Sequence, residues 1–105
     1  MIFLNTVNYK GRIFKAPSEY EYYIGEEDSL KYTVIPVNLS AINPGHDFIS
    51  SIVDNILFVR DISSKDGVAL AFPAIDTKKI AGTNIVLLSK EDGKQYPCRD
   101  NCLDR

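Results

Sequence analysis

Residues 46–56, HDFISSIVDNI, decide how the rest of the chain is assembled. Phe48, Ile49, Ile52, Val53 and Ile56 recur at i, i+1, i+4, i+5 and i+8, a spacing that lines one face of a helix. His46 or Asp47 stands where an N-cap belongs. Asn43-Pro44-Gly45, immediately before, is a strong turn signal and marks a change of texture along the chain. The β-branched residues weigh against a helix because they lose side-chain freedom there. The spacing nevertheless predicts one helix over about 46–56.

Upstream of it, strand signals dominate. Residues 2–7 are apolar and β-prone, and Asn8-Tyr9-Lys10-Gly11 reads as a turn, since Asn and Gly tolerate positive φ. Residues 12–15 resume the strand, which Ala16-Pro17 ends. Across 19–24 the pattern alternates: Tyr20, Tyr22 and Ile24 share one face, Glu19, Glu21 and Tyr23 the other. Residues 25–29 read as a polar loop, and 30–39 as a third β-prone run in which Pro36 suggests an edge position or a bulge.

Downstream, 57–62 reads as a strand, 63–67 as a hairpin turn into 68–72, and 76–82 as a single helical turn capped by Asp76 and stopped by Gly82. Residues 84–89 and 94–98 form a last hairpin around Glu91-Asp92-Gly93. The expectation is an α+β, mostly β single domain over 1–105, with residues 99–105 as a loose tail. It has about six to eight short strands and one helix, arranged as a small barrel of the oligonucleotide-binding type or as a roll.

A chain of 105 residues buries roughly two thirds of its unfolded surface and needs no staple to fold. The net charge of −2 offers no global attraction to nucleic acid or to an anionic membrane. No apolar run approaches the ~20 residues of a membrane span. The opening MIFLNTVNYKGR has no basic n-region and breaks its apolar run at Asn5, which argues against a signal peptide. Cytoplasmic location is the expectation.

Cys98 and Cys102 are the only cysteines and His46 the only histidine. A structural zinc site wants four soft or imidazole ligands, more than one copy supplies. The three-residue spacer does not match a C-x-x-C redox pair at a helix N-terminus. Two free thiols or a short disulfide remain, and neither implies catalysis. A cysteine-dependent enzyme built on Cys98 and His46 is a minor alternative, requiring a lowered thiol pKa. His46 in its Asn-Pro-Gly-His-Asp setting reads as turn and cap. There is no P-loop, dinucleotide fingerprint or nucleophile elbow, and no cofactor is expected.

Residues 16–30, APSEYEYYIGEEDSL, are the most informative for function. They carry Glu19, Glu21, Glu26, Glu27 and Asp28 and no Lys or Arg, so they are net −5. The remainder, with all 12 basic and the other nine acidic residues, is net +3. Tyr20, Tyr22 and Tyr23 lie inside the acidic stretch and Tyr32 follows it. Tyrosine suits interfaces because it buries area while its hydroxyl finds a partner. Acidic flanks steer such a face toward a basic partner. The competing account is that the tyrosines cover the sheet while the acids keep an edge strand soluble.

A second patch, NYKGRIFK at 8–15, interleaves Tyr9, Lys10, Arg12, Phe14 and Lys15, a combination used by single-strand nucleic-acid binders. An ordinary hairpin tip with surface cations is the simpler account. The sequence thus points first to a non-enzymatic protein-binding module, an inhibitor or regulator that presents its acidic tyrosine edge to a basic, nucleic-acid-handling partner. Single-stranded nucleic-acid binding is the alternative, no membrane is implied, and edge pairing into a homodimer is a further option.

Overall fold

Nine strands and one helical turn follow one another in the computed structural model, which describes residues 5–17, 20–38, 45–63, 65 and 69–100. They are β1 (Asn5–Tyr9), β2 (Arg12–Ala16), β3 (Tyr23–Glu27), β4 (Leu30–Val37), β5 (Phe48–Val53), β6 (Ile56–Asp61), β7 (Ala69–Phe72), α1 (Thr77–Ile80), β8 (Asn84–Ser89) and β9 (Gln95–Asp100). All nine strands join one sheet in the order β1-β2-β7-β6-β5-β9-β8-β4-β3. β1–β2, β3–β4, β5–β6–β7 and β8–β9 pair antiparallel, and parallel pairings β2–β7, β5–β9 and β4–β8 join these units into one sheet. Among the described residues β1 does not pair with β3, so the sheet is a roll rather than a closed barrel. The mostly β class is as the sequence implied, while the one short helix among the described residues is α1 and not the 46–56 stretch.

The helix expected over 46–56 is instead the β5–β6 hairpin. Asp54 and Asn55 form its two-residue turn with φ of 49° and 63°. Positive φ at both central positions is the mirror-turn geometry whose twist matches the flanking strands. The helical spacing misled for a physical reason. β5 lies inside the sheet between β6 and β9. Its Phe48 and Ser50 are buried on one face while Ile49, Ser51 and Val53 are half-buried on the other. A strand covered on both sides loses its alternation and reads as a continuous apolar run.

The same mirror turn closes two other hairpins. Lys10 and Gly11 (φ 51° and 81°) link β1 to β2, and Asp28 and Ser29 (φ 52° and 66°) link β3 to β4. The segment taken for a polar loop at 25–29 is therefore the second half of β3 and its turn. Pro36 lies beyond the last β3–β4 pair, Tyr23↔Val34, where β4 has a neighbour only in β8 among the described residues. That fits the edge position expected of it. Arg99 and Asp100, assigned to a loose tail, pair with Ile49 and Ser50. The helical turn at α1 is as read, with Asp76 Oδ1 accepting from the Lys79 amide at 3.2 Å and Gly82 at φ 81° beyond it.

The core sits on the concave face. Ile35, Val37, Phe48, Leu57, Val59, Leu70, Phe72, Ile85, Leu87 and Cys98 project into it from six strands, and Ile75 and Ile80 cover it from the α1 segment. Among the described residues no helix is long and apolar enough to cross a membrane.

Candidate functional site

Side chains alternate across a strand, so the residues between the core positions line the convex face of the sheet. Both patches singled out in the sequence have members there, toward opposite ends of the strand order.

At the β3 end, the register stacks Tyr23, Val34, Val86 and Pro97 in one row and Gly25, Tyr32 and Asn84 in the next. With Glu26, Glu27, Gln95 and Arg99 these residues line an open trough of about 760 Å³. Gly25 contributes no side chain, and a Cβ there would meet nothing within 4 Å. Tyr23 is 52% exposed, while Val34 and Val86 form the buried floor. Glu21, Glu26, Glu27 and Asp28 are exposed, and Lys31 stands opposite Glu26. Among the described residues β3 is the last strand of the sheet and is hydrogen-bonded only to β4.

Not all of the acidic segment joins this surface. Tyr20 and Tyr22, with Ile24, pack against the core cluster. The Tyr20 ring meets Phe72 edge-on at 5.2 Å, and its hydroxyl donates to the Pro73 carbonyl. Burial, and secondarily Tyr22, push the Tyr20 pKa up. Tyr20 and Tyr22 thus cover the core, and Tyr23 and Tyr32 are the tyrosines at the trough. Glu19 lies outside the described residues. Sequence reasoning missed Val86, Pro97 and Arg99, which reach the trough only through the β4–β8–β9 pairings.

At the other end, the β1–β2 hairpin lies against β5–β6. The Tyr9 hydroxyl donates to Asp54 Oδ2 at 2.6 Å, which pushes the Tyr9 pKa up. Tyr9 and Phe14 both pack on Phe58, with ring centroids 5.3 and 4.9 Å away. A cavity of about 310 Å³ opens there, lined by Tyr9, Lys10, Arg12, Phe14, Ile49, Ser51, Val53, Phe58, Arg60 and Ala69. Lys10 Nζ lies 5.4 Å from the Tyr9 ring centre and the Arg12 guanidinium 5.3 Å from that of Phe14. Lys15 alternates to the opposite face of β2 and does not line the cavity. Arg60 and Phe58 do, and the sequence reading omitted both. The signal for them was the alternation in ILFVRD: Leu57, Val59 and Asp61 are buried inward, so Phe58 and Arg60 must face away.

The cysteine and the histidine each have a place in the fold. Cys98 is a buried free thiol, and burial pushes its pKa up to about 12. That is opposite to the lowering that a reactive cysteine needs. His46 Nδ1 lies 2.7 Å from Oδ2 of the buried Asp61, whose other oxygen accepts from the Ser63 amide at 3.0 Å. Asp47 exchanges backbone and hydroxyl bonds with Ile62 and Ser63. His46 therefore ties the start of β5 to the end of β6, instead of capping a helix. Cys102 lies outside the described residues.

No family model matches the chain, and neither a curated protein nor a solved structure matches it.

Proposed function

We propose that the chain is a small protein-binding module, an inhibitor or regulator and not a catalyst, whose β3 edge takes an extended lysine- or arginine-bearing segment of a cytoplasmic partner. The observation that carries this reading is the outer edge of β3, which no other described strand pairs with, beside the tyrosine trough, with Glu26 and Glu27 exposed along it and Asp28 at its turn.

An edge strand presents unpaired backbone donors and acceptors to any chain that approaches extended. Which groups are free follows from the turn. Glu27 and Leu30 flank the two-residue loop, so they form the hydrogen-bonded pair that closes it. Tyr23 and Gly25 share that orientation, so the N–H and C=O of Ile24 and Glu26 point outward. A segment added there would place alternate side chains over the trough, between Tyr23 and Tyr32, and others beside the carboxylates. Basic extended segments of that kind are common on proteins that hold nucleic acid, so a partner of that class would be blocked by the module.

The reading is tested with an eight-residue peptide alternating arginine and threonine, measured by calorimetry against a glutamate–threonine control. The arginine peptide binds and the control does not. Glu26→Gln weakens binding only by the loss of one exposed charge, whereas Glu26→Pro removes an outward N–H and abolishes strand addition. Equal affinity of the two variants contradicts backbone pairing at this edge, provided both retain the parent circular dichroism spectrum.

A further inference from the structure

The cavity between the β1–β2 and β5–β6 hairpins is a second constructed surface, independent of the β3 edge. Its floor and one wall are the rings of Phe58, Phe14 and Tyr9. Its polar groups are Lys10, Arg12, Arg60 and Ser51, and no carboxylate is among the lining residues. None of the three cations is in an ion pair among the described residues. The Ser51 hydroxyl oxygen is buried and has no hydrogen-bond partner among the described residues. A buried polar atom without a partner is uncommon in a folded chain and costs stability unless something satisfies it. Three cations on one small concavity, none ion-paired among the described residues, raise its affinity for anions.

We propose that this cavity binds a single nucleotide unit, a flat ring carrying a phosphate. The aromatic floor accepts a ring by stacking, because every base has a π face. Arg12 and Arg60 match phosphate oxygens as planar forks, and Lys10 adds a point charge. The volume of about 310 Å³ lies at the small end of the range for small-molecule sites, roughly 300–1,000 Å³. That admits one nucleotide and not a strand of several. An inorganic anion would satisfy the cations but leave the aromatic floor unused, and a neutral nucleoside would do the reverse.

The test is a titration monitored by backbone amide chemical shifts, using uridine 5′-monophosphate and adenosine 5′-monophosphate. Uridine, adenosine, inorganic phosphate and an eight-residue oligothymidine serve as comparisons. At least one monophosphate binds, with shifts confined to residues 9–14, 49–53 and 58–60. Its nucleoside and phosphate each bind roughly ten-fold more weakly or worse, the equivalent of losing one charge-assisted contact. Arg60→Gln and Arg12→Gln each lower nucleotide affinity about ten-fold or more, with spectra otherwise unchanged. No binding by either monophosphate at millimolar concentration overturns the proposal. So does equal binding by phosphate alone, which makes the cavity a plain anion patch. Oligothymidine binding more than about a hundred-fold tighter than the monophosphates also overturns it, because stacking and phosphate contacts would then extend beyond one unit.

Discussion

Cys98 illustrates how a residue that attracts attention in the sequence is consumed by the fold. It stands on β9 opposite Phe48 on one side and Ile85 on the other, facing the core. Its thiol is held neutral to about pH 12, against an ordinary value of 9.0. A raised folded-state pKa means that the folded chain keeps a proton the unfolded chain releases. The associated stability is fully present below pH 9 and is lost as pH rises from 9 toward 12. The loss from this group approaches roughly 1.4 kcal/mol per pH unit. Tyr20, also raised, acts with the same sign at higher pH. Urea unfolding at pH 8, 9 and 10 should show stability falling with pH. Cys98→Ala should flatten the slope, even though the smaller side chain lowers stability by a constant amount at all three values. An unchanged slope contradicts the burial argument.

Among the elements, the β5–β6 hairpin places most else. Its turn holds Asp54 and Asn55 at positive φ, its Asp54 carboxylate takes the Tyr9 hydroxyl, and its Asn55 side chain accepts from Thr77 Oγ1 at 3.3 Å. One turn thus anchors both the first hairpin and α1. Asn55→Val, a β-branched residue in left-handed backbone, should destabilise the protein by about 2 kcal/mol, measured by chemical denaturation. A change below about 0.5 kcal/mol would mean the turn relaxes without strain. This element was also the hardest to read. Asp54-Asn55 is a legitimate two-residue hairpin signal, but apolar residues on both faces of β5 imitate a helical stripe. In the Tyr20, Tyr22, Ile24 run, alternation identified the inward side chains directly, although Tyr20 and Tyr22 lie before β3 begins at Tyr23. Where punctuation was strong, at Asn8–Gly11, Asp76–Gly82 and Glu91–Gly93, the local structure followed from the residues alone. The candidate surfaces were legible only in part. Tyr9, Lys10, Arg12 and Phe14 sit on one hairpin and could be seen together, whereas Arg60, Val86, Pro97 and Arg99 arrive through long-range pairings that no local pattern encodes.

For the whole molecule, the charge split between residues 16–30 and the remainder becomes a spatial one. The order β1-β2-β7-β6-β5-β9-β8-β4-β3 sets the cationic aromatic cavity and the acidic trough toward opposite ends of one convex sheet face. A net charge of −2 conceals this arrangement. The two surfaces suit partners of opposite charge, and binding at both should weaken with added salt, since exposed charges are screened within about 10 Å at 0.1 M. The acids along β3 also discourage a second copy from pairing edge to edge, because like charges would face each other. On the proposed reading, the same edge rejects a second copy and accepts a basic chain.

The most direct test of that claim is amide hydrogen exchange along β3 with and without the arginine–threonine peptide. The account predicts new protection at Ile24 and Glu26, whose N–H groups point outward, with little change at Tyr23, Gly25 and Glu27, which already bond to β4. Protection that ignores this alternation, or that appears at Tyr9–Phe14 while β3 stays unchanged, contradicts it.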